Sequence, residues 1–504
     1  MWHEAIWRTD MDNLREMIIY GSGQRGSGLY ILLHNNRIKV KYVIDTNAGK
    51  WNTPFYDTVI SSPDVLLEDD KTLICIAIAR EEDAISVRTR LNREYGVDAE
   101  REIGYFNLVW DLYQRDLDIQ TALKKETALG SPQYIFECDY GLGLGGIEAW
   151  TKSICTELLL DGRKNLHIIS DRGEYDIPDI LEDKVVKLPI DHDEMFAPKT
   201  MVRIIEHLLQ QLPCVVVTGQ FYMTLLAACL VKQHHPDQIH IISVIHFGKD
   251  ELYRQYASVK SYIDLYIGVS RDITEGLLQY GVAKNKVDHM TCPVECDEIL
   301  ERDYTINQKN PIRLGFAGRV NKKQKRMDLI PAFVNLLENL HVNYYFEIAG
   351  KGDYCGKLEE FIEERGLGDK IRLIGNVARD AIGAFWKDKD VCLSFSDYEG
   401  RSISIMEAMA NGAVPVVTAT SGVRDDITDD ENGYIVGLQD IETMAEKVCY
   451  LEVHRERINT MGKKAHDCIY PKCQMKEHLK YWEGLLDEKV REINEKEESF
   501  VAGI

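Results

Sequence analysis

Glu399 and Glu407 bracket a Glu-x7-Glu pattern in Glu399-Gly400-Arg401-Ser402-Ile403-Ser404-Ile405-Met406-Glu407, which runs on to Asn411-Gly412. An apolar run, Val391 to Phe395, ends just before it at Ser396-Asp397-Tyr398, and a second, Ala413 to Val417, follows. The order reads as strand, turn, helix, strand. Glu399 then lies on the turn and Glu407 about two turns into the helix, at ~3.6 residues per turn. The helix leaves the backbone N–H groups of residues 400–403 unpaired, and these point into the same crevice as the carboxylates. Free amides at the positive end of a helix dipole attract phosphate, while a carboxylate holds sugar hydroxyls. A site offering both suits a sugar nucleotide.

A second cluster lies upstream. Gly315-Phe316-Ala317-Gly318-Arg319 closes an apolar run, and the basic loop Asn321-Lys322-Lys323-Gln324-Lys325-Arg326 follows, with an amphipathic helix expected from Met327. Cations at the carboxyl end of a strand can neutralise a departing diphosphate; alone, such a run also reads as a solvated loop. His246 ends the run Ile239–Ile245 in Val-Ile-His-Phe-Gly, where it is either an active-site or a structural histidine. His192, within Asp191-His192-Asp193, and His234-His235 read as polar surface. No DxD-type metal clamp stands out, since Asp425-Asp426 and Asp429-Asp430 read as loop charge.

The elements that must carry these residues alternate between apolar, β-branched runs and amphipathic stretches, the pattern of α/β domains with parallel sheets. Three blocks emerge. Residues 14–125 contain strands near Met17–Tyr20, Val40–Ile44 and Leu73–Ala79, with the stretch from Gly104 to Ser131 as a polar, mostly helical connector. Residues 133–305 contain Tyr134–Cys138, Leu166–Ser170, Cys214–Thr218, Ile239–Ile245 and Leu265–Val269. Residues 306–470 contain Ile312–Ala317, Tyr344–Ala349, Ile371–Ile374, Val391–Phe395 and Ala413–Val417. A charged helix spans 471–495, followed by a short tail expected to be disordered.

In the first block, Gly21-Ser22-Gly23-Gln24-Arg25-Gly26 follows a strand, and the next strand ends at Asp45. Gly21, Gly23, Gly26 and Asp45 supply the tight turn, the close phosphate approach and the ribose acid of a dinucleotide fingerprint. They mark a second nucleotide site or a docking module that merely keeps the fold. No hydride-transfer machinery accompanies them, so a dehydrogenase is not indicated.

The length of 504 residues exceeds one core. A 45% hydrophobic and 28% charged composition reads as soluble and globular. The net charge of 60 − 82 = −22 argues against nucleic acid as a partner. Twelve cysteines without a CxxC pair or a Cys/His cluster point to a reducing, cytoplasmic setting rather than a disulfide framework or a zinc site. The start shows no signal-peptide pattern. Leu212 to Val231 is broken at Thr218-Gly219-Gln220, so any membrane association is expected to be peripheral.

Taken in order, Phe316-Ala317-Gly318-Arg319 with Lys325, Ile348-Ala349-Gly350-Lys351-Gly352-Asp353, the Glu-x7-Glu stretch and Asn432-Gly433 resemble the retaining GT-B glycosyltransferases of family 4, the glycosyl transferases group 1. Val269-Ser270, Gly281 and Cys292-Pro293-Val294-Glu295 are similar to the end of the family's first domain, and Gly141 to Glu148 to its glycine-rich loop. The likeness covers about residues 133–490 and implies an α/β GT-B fold, two facing Rossmann-like domains, here preceded by a small Rossmann-like module. The resemblance implies that Arg319 and Lys325 bind the donor diphosphate, with amides near Gly400 and Ile403 touching phosphate. By the same likeness Glu407 holds the ribose, Glu399 contacts the transferring sugar, His246 faces the acceptor, and Gly145 and Gly146 approach the donor phosphates. It further implies a UDP-, GDP- or ADP-sugar donor, no required cofactor or metal, and a glycan or lipid-linked acceptor in polysaccharide biosynthesis. A GT-B epimerase or phosphorylase, or a non-catalytic GT-B glycan-binding subunit, are the alternatives. Two departures leave the sugar open: Arg401-Ser402 stands where the family commonly has Phe-Gly or Phe-Pro, and the Arg319–Lys325 link is one residue longer than in many members.

Overall fold

A computed structural model of the chain describes residues 14–78, 81–125, 127, 130–139, 141–143, 145–170, 177–188, 196–302, 304 and 309–502. His192 and its flanking aspartates, and Leu144 of the glycine-rich loop, lie outside the described residues. The chain divides into two compact units. One holds the residues up to Ser243 with Asp250–Leu265 and the segment from Leu486 onward; the other holds Val244–Lys249 and Tyr266–Leu485.

The first unit begins with β1 (Glu16–Tyr20), β2 (Lys39–Ile44), β3 (Pro54–Phe55), β4 (Thr58–Ser61), β5 (Ile74–Ile76) and β6 (Glu102–Ile103). They form a sheet in the order β3-β4-β2-β1-β5-β6, parallel except for the β3–β4 pair. Omitting β3, this is a doubly wound order whose direction reverses between β1 and β5. The stretch expected to be a polar connector is instead an apolar junction. The helix Tyr105–Tyr113 buries Tyr105, Leu108, Val109, Leu112 and Tyr113. Its Phe106 ring meets Phe196 and Phe221 edge-on at 5.6 and 5.4 Å, and the Tyr113 hydroxyl donates to the Phe196 carbonyl at 2.7 Å. Apolar residues at the i, i+3 and i+4 spacing give that helix one wide apolar face.

In the same unit β7 (Gln133–Cys138), β8 (Leu166–Ser170), β9 (Val185–Lys187), β10 (Cys214–Thr218) and β11 (Ile239–Ile245) run in the order β11-β10-β7-β8-β9, all parallel. Strands β10 and β11 are buried at every position, which is why they read as continuous apolar runs rather than alternating ones.

The second unit contains a parallel pair from β12 (Leu265–Gly268) and β13 (Val287–His289) and a six-stranded parallel sheet. That sheet comprises β14 (Ile312–Ala317), β15 (Tyr344–Ala349), β16 (Ile371–Gly375), β17 (Val391–Ser394), β18 (Val414–Thr418) and β19 (Tyr434–Val436), in the order β16-β15-β14-β17-β18-β19. The order reverses between β14 and β17, paired at Leu314↔Val391 and Gly315↔Cys392. Loops leaving the carboxyl ends of those two strands therefore flank a crevice, where ligands of open α/β sheets bind.

Two apolar clusters cover the faces of this sheet, one including Phe316, Phe333 and Phe346, the other Trp386, Met406 and Met409. The last helix runs Met475–Ala502, beyond the expected end near residue 495. Its Glu- and Lys-rich final turns are good helix formers, so they extend the helix instead of fraying.

Candidate functional site

The crevice is built by glycines that let three loops touch. After β14 the chain turns at Gly318 (φ +153°), and after β15 at Gly350 (φ +135°). A Cβ on Gly350 would sit 1.8 Å from the Gly318 carbonyl oxygen, and one on Gly352 would sit 2.1 Å from that of Val320. The two loops are pinned backbone to backbone, Gly318 N–H donating to the Ala349 carbonyl at 3.0 Å and Val320 N–H to that of Lys351 at 2.9 Å. The Gly-Lys-Gly motif of residues 350–352 is thus a packing device that fixes the loop bearing Arg319 and Lys325.

On the other side of the switch point, β17 leads through Ser396 to Glu399. The Lys325 ammonium donates to Glu399 Oε1 at 2.6 Å, and the Ser396 hydroxyl donates to the same oxygen at 2.7 Å. Gln324 reaches the Tyr398 carbonyl (3.3 Å) and Glu399 Oε2 (3.5 Å), while its own side-chain oxygen accepts from Arg319 Nη2 at 2.7 Å. Arg319, Lys325 and Glu399 are therefore one connected group. Gln324 and Ser396, which carry no charge pattern to mark them, are the positioning residues that sequence reasoning missed.

The helix after the turn runs Ile403–Ala410, with Ser402 at its N-cap and no side-chain cap. This shifts two expectations. The amides left without helical partners belong to Ser402–Ile405 rather than 400–403, and Glu407 lies just over one turn in rather than two. Ser404 Oγ donates to the Ala317 carbonyl at 2.8 Å, which holds this helix start against the end of β14 and brings Ile403 to the crevice. Burial pushes the Glu407 carboxyl up to about 7; Arg379 opposes that rise and Glu295 adds to it.

Gly400 has a packing role of its own. A Cβ there would lie 1.6 Å from the His246 carbonyl oxygen and 2.9 Å from the Phe247 Cα. The glutamate turn and the segment after β11 therefore meet backbone to backbone. Burial lowers His246 to about 3, so the imidazole is neutral across the physiological range.

Arg401 and Asp426 revise the sequence reading most. Arg401 is held by an internal ion pair. Its Nε and Nη2 form a fork on Asp426, 2.9 Å to Oδ2 and 2.5 Å to Oδ1, with both side chains at most 4% exposed. Nη1 adds a 3.4 Å bond to the Val269 carbonyl. Asp426, expected as loop charge, closes the short helix Val423–Asp426 and also pairs with Lys472 at 3.3 Å. Asn432 belongs to the same scaffold, donating to the Asp426 carbonyl at 2.9 Å.

The remaining candidates lie in the first unit. Gly145 caps the helix Gly146–Leu160, and a Cβ there would fall 2.1 Å from Glu148 Oε2, so a carboxylate folds over this helix start. In the N-terminal module Gly21 adopts φ +114°, a Cβ on Gly26 would strike the Gly21 carbonyl oxygen at 1.9 Å, and Gly23 has open space around it. Asp45 is engaged internally by Ser22 Oγ (2.5 Å), the Asn47 amide (2.9 Å) and Lys50 (3.0 Å). Among the described residues no group of three or more His, Cys, Asp or Glu side chains could hold a metal, and no helix is long and apolar enough to cross a membrane.

Comparison with known proteins bears on the fold. Residues 298–467 match the family of glycosyl transferases group 1. The chain is 29% identical over 165 residues to a poly(ribitol-phosphate) alpha-N-acetylglucosaminyltransferase of Staphylococcus aureus, covering 32% of this chain and 33% of that protein. Among solved structures, the pneumococcal O-GlcNAc transferase GtfA in complex with UDP and GlcNAc superposes with a TM-score of 0.56 at 14% identity, over 71% of this chain and 99% of that one. Anabaena HepE in complex with UDP and glucose gives 0.55 at 13% identity, over 74% and 100%. The fold is GT-B, preceded by a small Rossmann-like domain. The chain spans between about a quarter and a half of the length of the curated relatives it matches.

Proposed function

We propose that the protein is a glycosyltransferase that moves a sugar from a nucleoside-diphosphate sugar to an acceptor hydroxyl with retention of configuration and without a metal. One observation carries the reading: Arg319, Lys325 and Glu399 are joined in a single group at the β14/β17 switch point, beside an uncapped helix start. Arginine, lysine and oriented amides stabilise a departing diphosphate, which is the main task as the sugar passes through an oxocarbenium-like state. Glu399, already engaged by Lys325 and Ser396, is suited to position the sugar rather than to attack it. Glu407 would take the ribose hydroxyls. The acceptor would be a glycan or lipid-linked precursor, with the enzyme in the cytoplasm or at a membrane surface.

The curated relative and GtfA are named as sugar transferases, and the two solved neighbours are complexes with UDP and a sugar. Both points support a nucleotide-sugar donor here. The test is a thermal-shift screen with UDP-, GDP- and ADP-sugars, since a ligand of the folded state raises the midpoint. One of them is expected to stabilise the wild type and to lose that effect in Lys325→Ala. No response from any donor would overturn the proposal. Product anomeric configuration read by NMR, and turnover in the presence of a chelator, test retention and metal independence.

A further inference from the structure

A further cation of the second unit lies against the glutamate turn. Lys249 ends the segment His246-Phe247-Gly248-Lys249, and its ammonium lies 4.0 Å from the centre of the Tyr398 ring. Tyr398 directly precedes Glu399, and Gly400 meets His246 and Phe247 backbone to backbone, so the segment and the turn hold each other in place. A ring face positions an ammonium without using its N–H donors, which stay available to a ligand.

The charges around the turn show what such a donor would serve. Arg326 is consumed by Asp397 at 2.9 Å and Asp328 at 3.0 Å. Lys325 is matched by Glu399 at 2.6 Å. Arg319 bonds only the neutral Gln324, and neither Arg319 nor Lys249 has an ion-pair partner among the described residues. With the Lys325 charge partly offset by Glu399, a leaving group carrying more than one negative charge would draw on a further cation beside Arg319 and Lys325. We infer that Lys249 is a phosphate-binding residue of this site: its ammonium, seated on Tyr398, joins Arg319 in holding the diphosphate of the donor nucleotide. This rests on the function proposed above and adds to it a residue contributed by the chain after β11.

Calorimetric titration of wild type, Lys249→Gln and Lys249→Arg with UDP, GDP and ADP, and with the matching nucleosides, tests it. For the diphosphate that the wild type binds, Lys249→Gln is expected to raise Kd by about tenfold, the scale of one charge-assisted hydrogen bond. Lys249→Arg should stay within about threefold, because it keeps the charge over the ring. Nucleoside affinity should not change in either variant. A Lys249→Gln variant that binds the diphosphate within about twofold of a binding wild type overturns the inference and leaves the proposed function standing. Equal losses for nucleoside and diphosphate also overturn it, since they mean a deformed site rather than a missing charge. A wild type that binds none of the three diphosphates overturns the proposed function and this inference together.

Discussion

Cutting the Arg401–Asp426 pair tests how the glutamate turn is held. Arg401→Ala leaves Asp426 buried and stripped of its two-pronged partner, and removing one member of a buried pair costs about 3–5 kcal/mol. Lys472 still reaches Asp426 at 3.3 Å, so the lower end, about 3 kcal/mol, is expected. Asp426→Ala should cost a similar amount, because Arg401 then keeps only the 3.4 Å bond to the Val269 carbonyl and a 4.0 Å approach to Asp425. Arg401→Met with Asp426→Leu removes both charges and should cost clearly less than the sum of the singles. A chain of this length does not unfold as one two-state unit, so the assay is native-state hydrogen exchange of peptides covering residues 396–436. A local loss of about 3 kcal/mol speeds their exchange by roughly a hundredfold. Single variants that change exchange by less than about fivefold, or a double variant equal to the sum of the singles, would refute the claim that this pair anchors the turn.

Glu407, raised to about 7 by burial, keeps its proton in the folded chain after the unfolded chain has lost it. Stability should therefore fall as pH rises from the ordinary carboxylate range to about 7 and level off above, a trend absent in Glu407→Gln. If ribose hydroxyls bind the ionised form, donor binding near pH 7 should release protons, seen as a buffer-dependent calorimetric heat that Glu407→Gln abolishes. Gly400→Ala puts a methyl 1.6 Å from the His246 carbonyl oxygen, so the turn must move, and donor affinity should drop even where the variant remains folded. In the N-terminal module, Gly26→Ala forces a 1.9 Å clash with the Gly21 carbonyl and should lower the thermal midpoint by several degrees, about 1–3 kcal/mol, whereas Gly23→Ala meets open space and should leave it unchanged. The opposite order would refute the packing role given to Gly26.

Much of the architecture was legible without coordinates. Leu166–Ser170, Cys214–Thr218, Ile239–Ile245, Ile312–Ala317 and Tyr344–Ala349 are strands with the boundaries expected, because each is a mostly buried run rich in apolar residues that stands out from its polar flanks. Short edge strands such as β3, β6 and β19 were not legible, since two or three residues carry no periodicity. The glutamates, Arg319 and Lys325 stood out because charge after an apolar run is a local signal. Gln324 and Ser396 did not, because a neutral donor acquires its role only from its neighbours.

The sequence by itself determined which segments are strands, which loops carry cations and glycines, and that a phosphate-and-sugar chemistry fits between them. Tertiary structure decided what each charge is for. Arg401 and Arg319 are the same residue type at the mouths of neighbouring strands, yet one is locked on Asp426 and the other has no carboxylate partner among the described residues. Lys249 reaches the glutamate turn only because Gly400 lets two distant backbones touch. Pairing between charges depends on distances of a few ångströms between segments tens of residues apart in the chain, and no local pattern encodes those distances.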